Sequence, residues 1–254
     1  MKRCVWRIQV VLVAAVLAAG CTSSGSSASS HASPDSAAPI IYAAIGASDG
    51  VGVGAEYRLR DAWPQVFFRT ALPESAVLYN FSIPGATVVT ALSEEDPVAL
   101  SVDPMLVTVW LNVNDLIGRV SASDYESRLD RLVRDMRRGG KARVLVANTP
   151  YLDRLPAYLG CRAGTPPVGV TCPPGLADFG PAEINNAVDA YNSAIARVVR
   201  EEGAILVDVH AQGEIPDAHP DWVGSDGFHP SAAGYAAIAA VFAAAWKRTG
   251  GAAA

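Results

Sequence analysis

Residues 40–50 read Ile40-Ile41-Tyr42-Ala43-Ala44-Ile45-Gly46-Ala47-Ser48-Asp49-Gly50, an apolar run that breaks at once into small and polar residues. A short apolar, β-branched run of this kind reads as a strand buried on both faces, the pattern of a parallel sheet. Residues 40–45 are the first of five such runs; the others are 76–81, 105–111, 143–148 and 204–209. Amphipathic stretches lie between them, at 61–72 with Pro64 in the first turn, at 123–138 and at 181–202. A last, Ala-rich stretch at 231–248 follows Pro230. Ser123 and Glu126 have the spacing of a capping box, and Gly139-Gly140 stops the helix that it opens. Strands alternating with helices over connections of this length imply right-handed crossovers. The expectation is an α/β fold whose five-stranded parallel sheet is covered on both faces.

One connection is out of proportion. Residues 149–180 are rich in Pro and Gly and leave the carboxyl end of the fourth strand, the edge at which open parallel sheets bind ligands. This is expected to be a functional loop.

Composition narrows the partners. The chain has 254 residues, half of them hydrophobic and only 18% charged, with a formal charge of −5. Outside the extreme N-terminus there is no basic stretch, so the electrostatic attraction on which nucleic-acid binding depends is missing. DNA and RNA are excluded as partners.

The N-terminus is read as an address. Lys2, Arg3 and Arg7 precede an apolar run over residues 8–19, too short to span a bilayer comfortably and typical of an export signal. Leu17-Ala18-Ala19-Gly20-Cys21 resembles the lipobox of bacterial lipoproteins, with Ala18 where the usual Leu stands. Residues 1–20 are then the signal peptide and Cys21 the lipidated N-terminus. Residues 21–39, dominated by Ser and Ala, form a flexible tether to a domain at 40–254. Cleavage by a signal peptidase at the small-residue pattern is the alternative. Either route exports the protein, to the cell envelope or beyond it.

That compartment sorts the cysteines. Cys161 and Cys172 are the only pair in the domain, and in an oxidising compartment they are expected to form a disulfide around Pro166, Pro167 and Gly169. Closing so short a loop is worth roughly 2–3 kcal/mol in the chain-entropy model. Free thiols are the other reading, and two cysteines without a nearby His make a poor zinc set.

Four clusters sit after strand ends or before the last helix: Gly46-Ala47-Ser48-Asp49, Ile83-Pro84-Gly85-Ala86, Asn112-Val113-Asn114-Asp115 and Asp226-Gly227-Phe228-His229. They supply the parts of acyl transfer through a serine. A free hydroxyl is a weak nucleophile and needs a base, which His229 can be; Asp226 can fix its tautomer and stabilise the imidazolium. The backbone N–H groups of Ser48 and Gly85 and the Asn114 amide can receive the oxyanion.

These blocks, in this order, resemble the SGNH hydrolase superfamily, or GDSL-type esterases and lipases. The match runs from about residue 40 to the end. It implies a three-layer α/β/α, flavodoxin-like fold, catalysis by Ser48, Asp226 and His229, and an oxyanion hole of Ser48, Gly85 and Asn114, without metal or organic cofactor. Two departures stand out. Ala47 replaces the usual Asp of the first block, leaving Asp49 to help hold the loop. Asn112 replaces a Gly two residues before Asn114, which is expected to intrude on the pocket.

Other readings compete. Gly46-Ala47-Ser48-Asp49-Gly50 also satisfies the G-x-S-x-G nucleophile elbow of α/β-hydrolases, but only one predicted strand precedes Ser48. His210 beside Asp208 is a rival base, more simply a hydrogen-bonded residue at a strand end. Asp217, His219, Asp221 and Asp226 invite a metal reading and are more simply solvated turns. Trp63 and Trp110 are expected in the core, whereas Trp222, just before the Asp–His pair, is a candidate pocket residue. The expected function is hydrolysis of carboxylic esters of lipids, small acyl groups or glycans by a monomer tethered to the membrane through Cys21. The loop at 151–180 would wall the acyl or alcohol pocket. Acyl transfer on the same residues, or a non-catalytic envelope-binding lipoprotein, are the alternatives.

Overall fold

In the computed structural model, residues 39–212 and 218–250 are described. The predicted export signal, Cys21, the tether up to residue 38 and Asp217 lie outside them. Strands β1 (Ile41–Gly46), β2 (Val77–Asn80), β3 (Leu106–Trp110), β4 (Arg143–Ala147) and β5 (Ile205–Val207) form one sheet in the order β2-β1-β3-β4-β5. Every pairing is parallel, with β1 against β3 in the register Ala44↔Thr108 and Gly46↔Trp110. The chain runs outward from β1 to β2, then back across β1 to β3. Where the direction of winding reverses, a crevice opens beyond the carboxyl ends of β1 and β3.

Side chains alternate between faces along each strand, so each strand feeds two cores. Ala43, Ile45, Val107, Val109, Val144 and Val146 pack under the Ala122–Arg137 and Pro181–Glu201 helices. Tyr42, Ala44, Leu106, Leu145 and Val207 face the Trp63–Ala71 and Ala232–Arg248 helices. Leu129 and Leu132 are fully buried, and a side chain of that size contributes about 1.5–3 kcal/mol on leaving water. On the other face Trp63 stacks on Phe242 with ring centroids 4.2 Å apart. Polar tips there find partners: the Tyr42 hydroxyl pairs with Thr108 Oγ1 at 2.9 Å and the Tyr235 hydroxyl donates to Val53 O at 2.6 Å. This is the expected α/β/α architecture.

Local details differ from expectation. β2 is not buried on both faces: Val77 and Tyr79 are each 39% exposed, because β2 is an edge strand with nothing beyond it. The capping residue of the Ala122–Arg137 helix is Ser121, not Ser123; its Oγ accepts from Asp124 N at 3.1 Å. The sequence offers the Ser-x-x-acid spacing twice, and the earlier copy wins. Glu126 turns instead to Arg197 on the neighbouring helix, at 2.7 Å. The helix ends as expected, with Arg138, Gly139 and Gly140 all at positive φ. Helical pieces beyond those expected include Arg58–Asp61, Val113–Ile117, Pro156–Arg162, and a segment from Val88 to Ser101 interrupted by a turn of π-helix at Ala91–Glu95.

Candidate active site

At the end of β1 the chain makes a tight turn, closed by Gly50 N donating to Ala47 O (3.1 Å) and Val53 N to Ser48 O (3.0 Å). Asn80 Nδ2 on β2 holds the turn from the side by donating to Gly50 O at 2.7 Å. Gly50 has to be glycine here, because a Cβ would sit 2.1 Å from Ser82 Oγ. Beneath the turn, Gly46 N donates to the buried carboxyl of Glu95 at 2.9 Å. Burial pushes the Asp49 carboxyl up to about 6, against its backbone hydrogen bonds, the charge of His229 and the Trp63 side chain.

His229 reaches this turn from the far end of the chain. Its Nε2 lies 2.8 Å from Ser48 Oγ, and its Nδ1 lies 2.6 Å from Asp226 Oδ2. Asp226 Oδ1 also accepts from the N–H groups of Phe228 and His229, each at 3.0 Å. Burial raises the Asp226 carboxyl, but the His229 hydrogen bond, the two backbone donors and the His229 charge outweigh it, so the group is held below the usual range. An ionised Asp226 takes a proton on Nδ1 as its partner. That tautomer leaves Nε2 free to accept from Ser48.

The other two predicted blocks meet one residue from each other. Asn114 Nδ2 donates to Ala86 O at 2.8 Å, and Asp115 Oδ2 accepts from Val88 N at 3.0 Å. Burial pushes the Asp115 carboxyl up to about 6, against the Val88 hydrogen bond and Arg128. Gly85, just before Ala86, has φ +82°, a left-handed conformation in which a side chain is strained. Among the described residues no acceptor reaches the N–H of Ser48 or of Gly85.

A pocket of about 140 Å³ opens beside Ser48, His229 and Asn114. Away from Ser48, His229 and the two asparagines, its walls are largely apolar: Trp110, Leu152, Leu155, Val209, Trp222 and Ile238. Trp222 lines it as expected, with its ring stacked on His219 at 4.0 Å. Trp110, expected in the core, is 7% exposed and shared between core and pocket. The Asn112 side chain does line the pocket, but its amide is turned toward Ala147 O at 3.4 Å.

The imidazole that reaches Ser48 is His229, not His210. His210 Nδ1 is 2.9 Å from Thr149 O and the His210 ring stacks on Tyr151 at 4.0 Å, so it steadies a pocket residue. In the long loop only the first residues, Pro150 to Leu155, wall the pocket. The rest braces the Asp226 turn: Ala157 N donates to Gly227 O (3.0 Å) and Thr171 N to Asp226 O (3.2 Å). The Cys161–Cys172 disulfide closes this brace. Glu95 is the residue that sequence reading missed. It sits in a Ser93-Glu94-Glu95-Asp96 run that looks solvated, and only an acid recurring among apolar neighbours at helical spacing could have marked it.

Residues 44–237 match the GDSL-like lipase/acylhydrolase family. The chain belongs to that family. GDSL hydrolases cleave carboxylic esters, so the chain is an ester hydrolase by membership. The elbow of the α/β-hydrolases is thereby a coincidence of motif, consistent with Ser48 following the first strand. Among solved structures, the chain is similar to the lipase/acylhydrolase from Enterococcus faecalis at 16% identity, covering 83% of this chain and 96% of that one (TM-score 0.61). It is also similar to the psychrotrophic esterase EstA from Pseudoalteromonas sp. at 16% identity, over 82% and 97% (TM-score 0.59). A third is phospholipase A1 from Streptomyces albidoflavus NA297, at 22% identity over 82% and 100% (TM-score 0.57). At these identities the likeness concerns the fold. No curated protein matches the chain in sequence.

Proposed function

We propose that this GDSL hydrolase is an exported serine esterase, a monomer held at the cell envelope through a lipidated Cys21, that cleaves carboxylic esters with an apolar acyl group. The observation that carries the reading is the chain of hydrogen bonds Ser48 Oγ, His229 Nε2, His229 Nδ1, Asp226 Oδ2, with links of 2.8 and 2.6 Å. Ser48 Oγ attacks the ester carbonyl carbon while His229 Nε2 takes its proton. The carbonyl oxygen becomes an oxyanion, received by the N–H groups of Ser48 and Gly85 and the second N–H of the Asn114 amide. Each such donor is worth about 2.7–4 kcal/mol in a water-poor site. Collapse breaks the bond to the alcohol oxygen, which leaves with the proton from His229. Water then attacks the acyl-Ser48 ester by the same route and restores the hydroxyl. Ionised Asp226 holds the ring and balances the imidazolium in both halves.

The apolar pocket wall supports an acyl chain rather than a polar alcohol as its occupant, and the names of the esterase and the phospholipase A1 of similar fold agree with ester substrates that include lipids. The test is hydrolysis of p-nitrophenyl acetate, butyrate and octanoate. With about 0.8 kcal/mol per buried methylene, the specificity constant should rise about fourfold per methylene until the pocket is full. Rates that are flat with chain length, or highest for acetate, would contradict an acyl pocket. The anchor is tested by the intact mass of the mature protein, which should carry lipid on Cys21; an unmodified N-terminus would remove it.

A further inference from the structure

β1 and β2 part company at the nucleophile turn. Their ladder is regular up to Ala44↔Asn80, and the carbonyl of Gly46 still accepts from Ile83 N at 3.1 Å. In a continuing parallel ladder the Gly46 N–H would also go to the β2 chain. It goes instead to Glu95 Oε2 at 2.9 Å, so a side chain from the π-turn fills the rung that β2 leaves empty. Glu95 is 1% exposed, its other oxygen has no partner among the described residues, and Ser48 lies two residues beyond Gly46. Turns of π-helix are rare and recur where a side chain must be aimed at a functional site.

We propose that Glu95 is a positioning residue for the nucleophile: its carboxyl fixes the last N–H of β1 and with it the point from which the Ser48 turn leaves the sheet. The inference rests on the reading of Ser48 as nucleophile. The carboxyl acts in its neutral form. Burial, aided by the charges of Asp49 and Glu94 and opposed by the Gly46 hydrogen bond, pushes it up to about 8. Those two acids are the charges that face it; Arg131 and Asp135, on the helix packed alongside, bear on the neighbouring Asp96. Above pH 8, Glu95 becomes a buried anion beside Asp49, and the turn carrying Ser48 is pushed off its position.

The experiment is the pH profile of kcat and KM on p-nitrophenyl butyrate for the wild type, E95Q, E95A and S48A, with thermal melts to show which are folded. Gln keeps an acceptor for Gly46 N and cannot ionise. E95Q should match the wild type at pH 7 and lose the wild type's decline above pH 8. E95A should lose about tenfold to a hundredfold in kcat, the cost of a misplacement near 1 Å, with little change in KM. An E95Q profile superimposed on the wild type would overturn the proposal, whether or not E95A folds. So would a folded E95A with wild-type kcat. Activity that survives in S48A would instead overturn the assignment of the nucleophile.

Discussion

Ser48 leaves the carboxyl end of a central strand, whereas His229, its partner 181 residues later, arrives on a turn outside the sheet. The serine turn is held from below and from the side, by Glu95 on Gly46 and Asn80 on Gly50. The histidine turn is held by loops: Gly224 N donates to His229 O at 2.7 Å, Val223 bridges to Pro230, and the disulfide-closed loop docks on Asp226 and Gly227. The two ends also shift their carboxyls in opposite directions. At the serine end burial holds Asp49 and Glu95 up, to about 6 and about 8, while at the histidine end hydrogen bonds and charge hold Asp226 down. A packed strand end can bury a neutral acid as a structural tie, whereas the base needs an anion and finds it on a turn rich in backbone donors.

That contrast is sharpest if each carboxyl is changed to an amide. D226N keeps the shape of the turn but can donate to His229 Nδ1, which favours the tautomer with the proton on Nε2 and leaves no acceptor for Ser48. It should lose about 10³–10⁴ in kcat at pH 7, as for other Ser–His–Asp sites. The same change at Glu95 should leave neutral activity intact. A mild loss in D226N, with KM unchanged, would break the comparison and move the histidine end from chemistry to architecture.

A smaller effect is expected on stability. Glu95 and Asp49 have folded values raised above their ordinary ones, so their contribution is complete below about pH 4 and is lost as pH rises through about 6 for Asp49 and about 8 for Glu95. Asp226, held low, acts in the other direction: its contribution is present above its ordinary value of 3.8 and is lost as pH falls below it. The melting temperature should therefore peak near pH 4–5 and decline toward pH 8, at up to about 1.4 kcal/mol per pH unit for each raised carboxyl. E95Q should flatten that decline, and a melting curve indifferent to pH between 5 and 8 would show that these acids are not held neutral.

How much of this was legible in the sequence follows the same division. The five apolar runs announced all five strands, because strands covered on both sides have few polar positions to confuse the pattern; the departures are at the two edges, in half-exposed β2 and in β5, where Ile205 and Leu206 are only partly buried. That Ser48, Asp226 and His229 would meet was legible because each lies in a short block whose spacing is local. Glu95 was not, since its contact is with a backbone N–H 49 residues away, and its helical spacing among apolar neighbours marks burial but not that partner. The shift of the helix cap from Ser123 to Ser121 has a simpler cause: two equivalent local signals compete, and tertiary packing, with buried Tyr125 donating to Leu111 O at 2.7 Å, decides between them.

The central claim is that Ser48 is the nucleophile, and its most direct test is the rate of p-nitrophenyl butyrate hydrolysis by the wild type and by S48A at pH 7, once both melt at the same temperature. A fall in kcat/KM by a factor of about 10³ or more is predicted, with the remainder owed to binding and the oxyanion donors. An S48A protein within tenfold of the wild type would contradict the account.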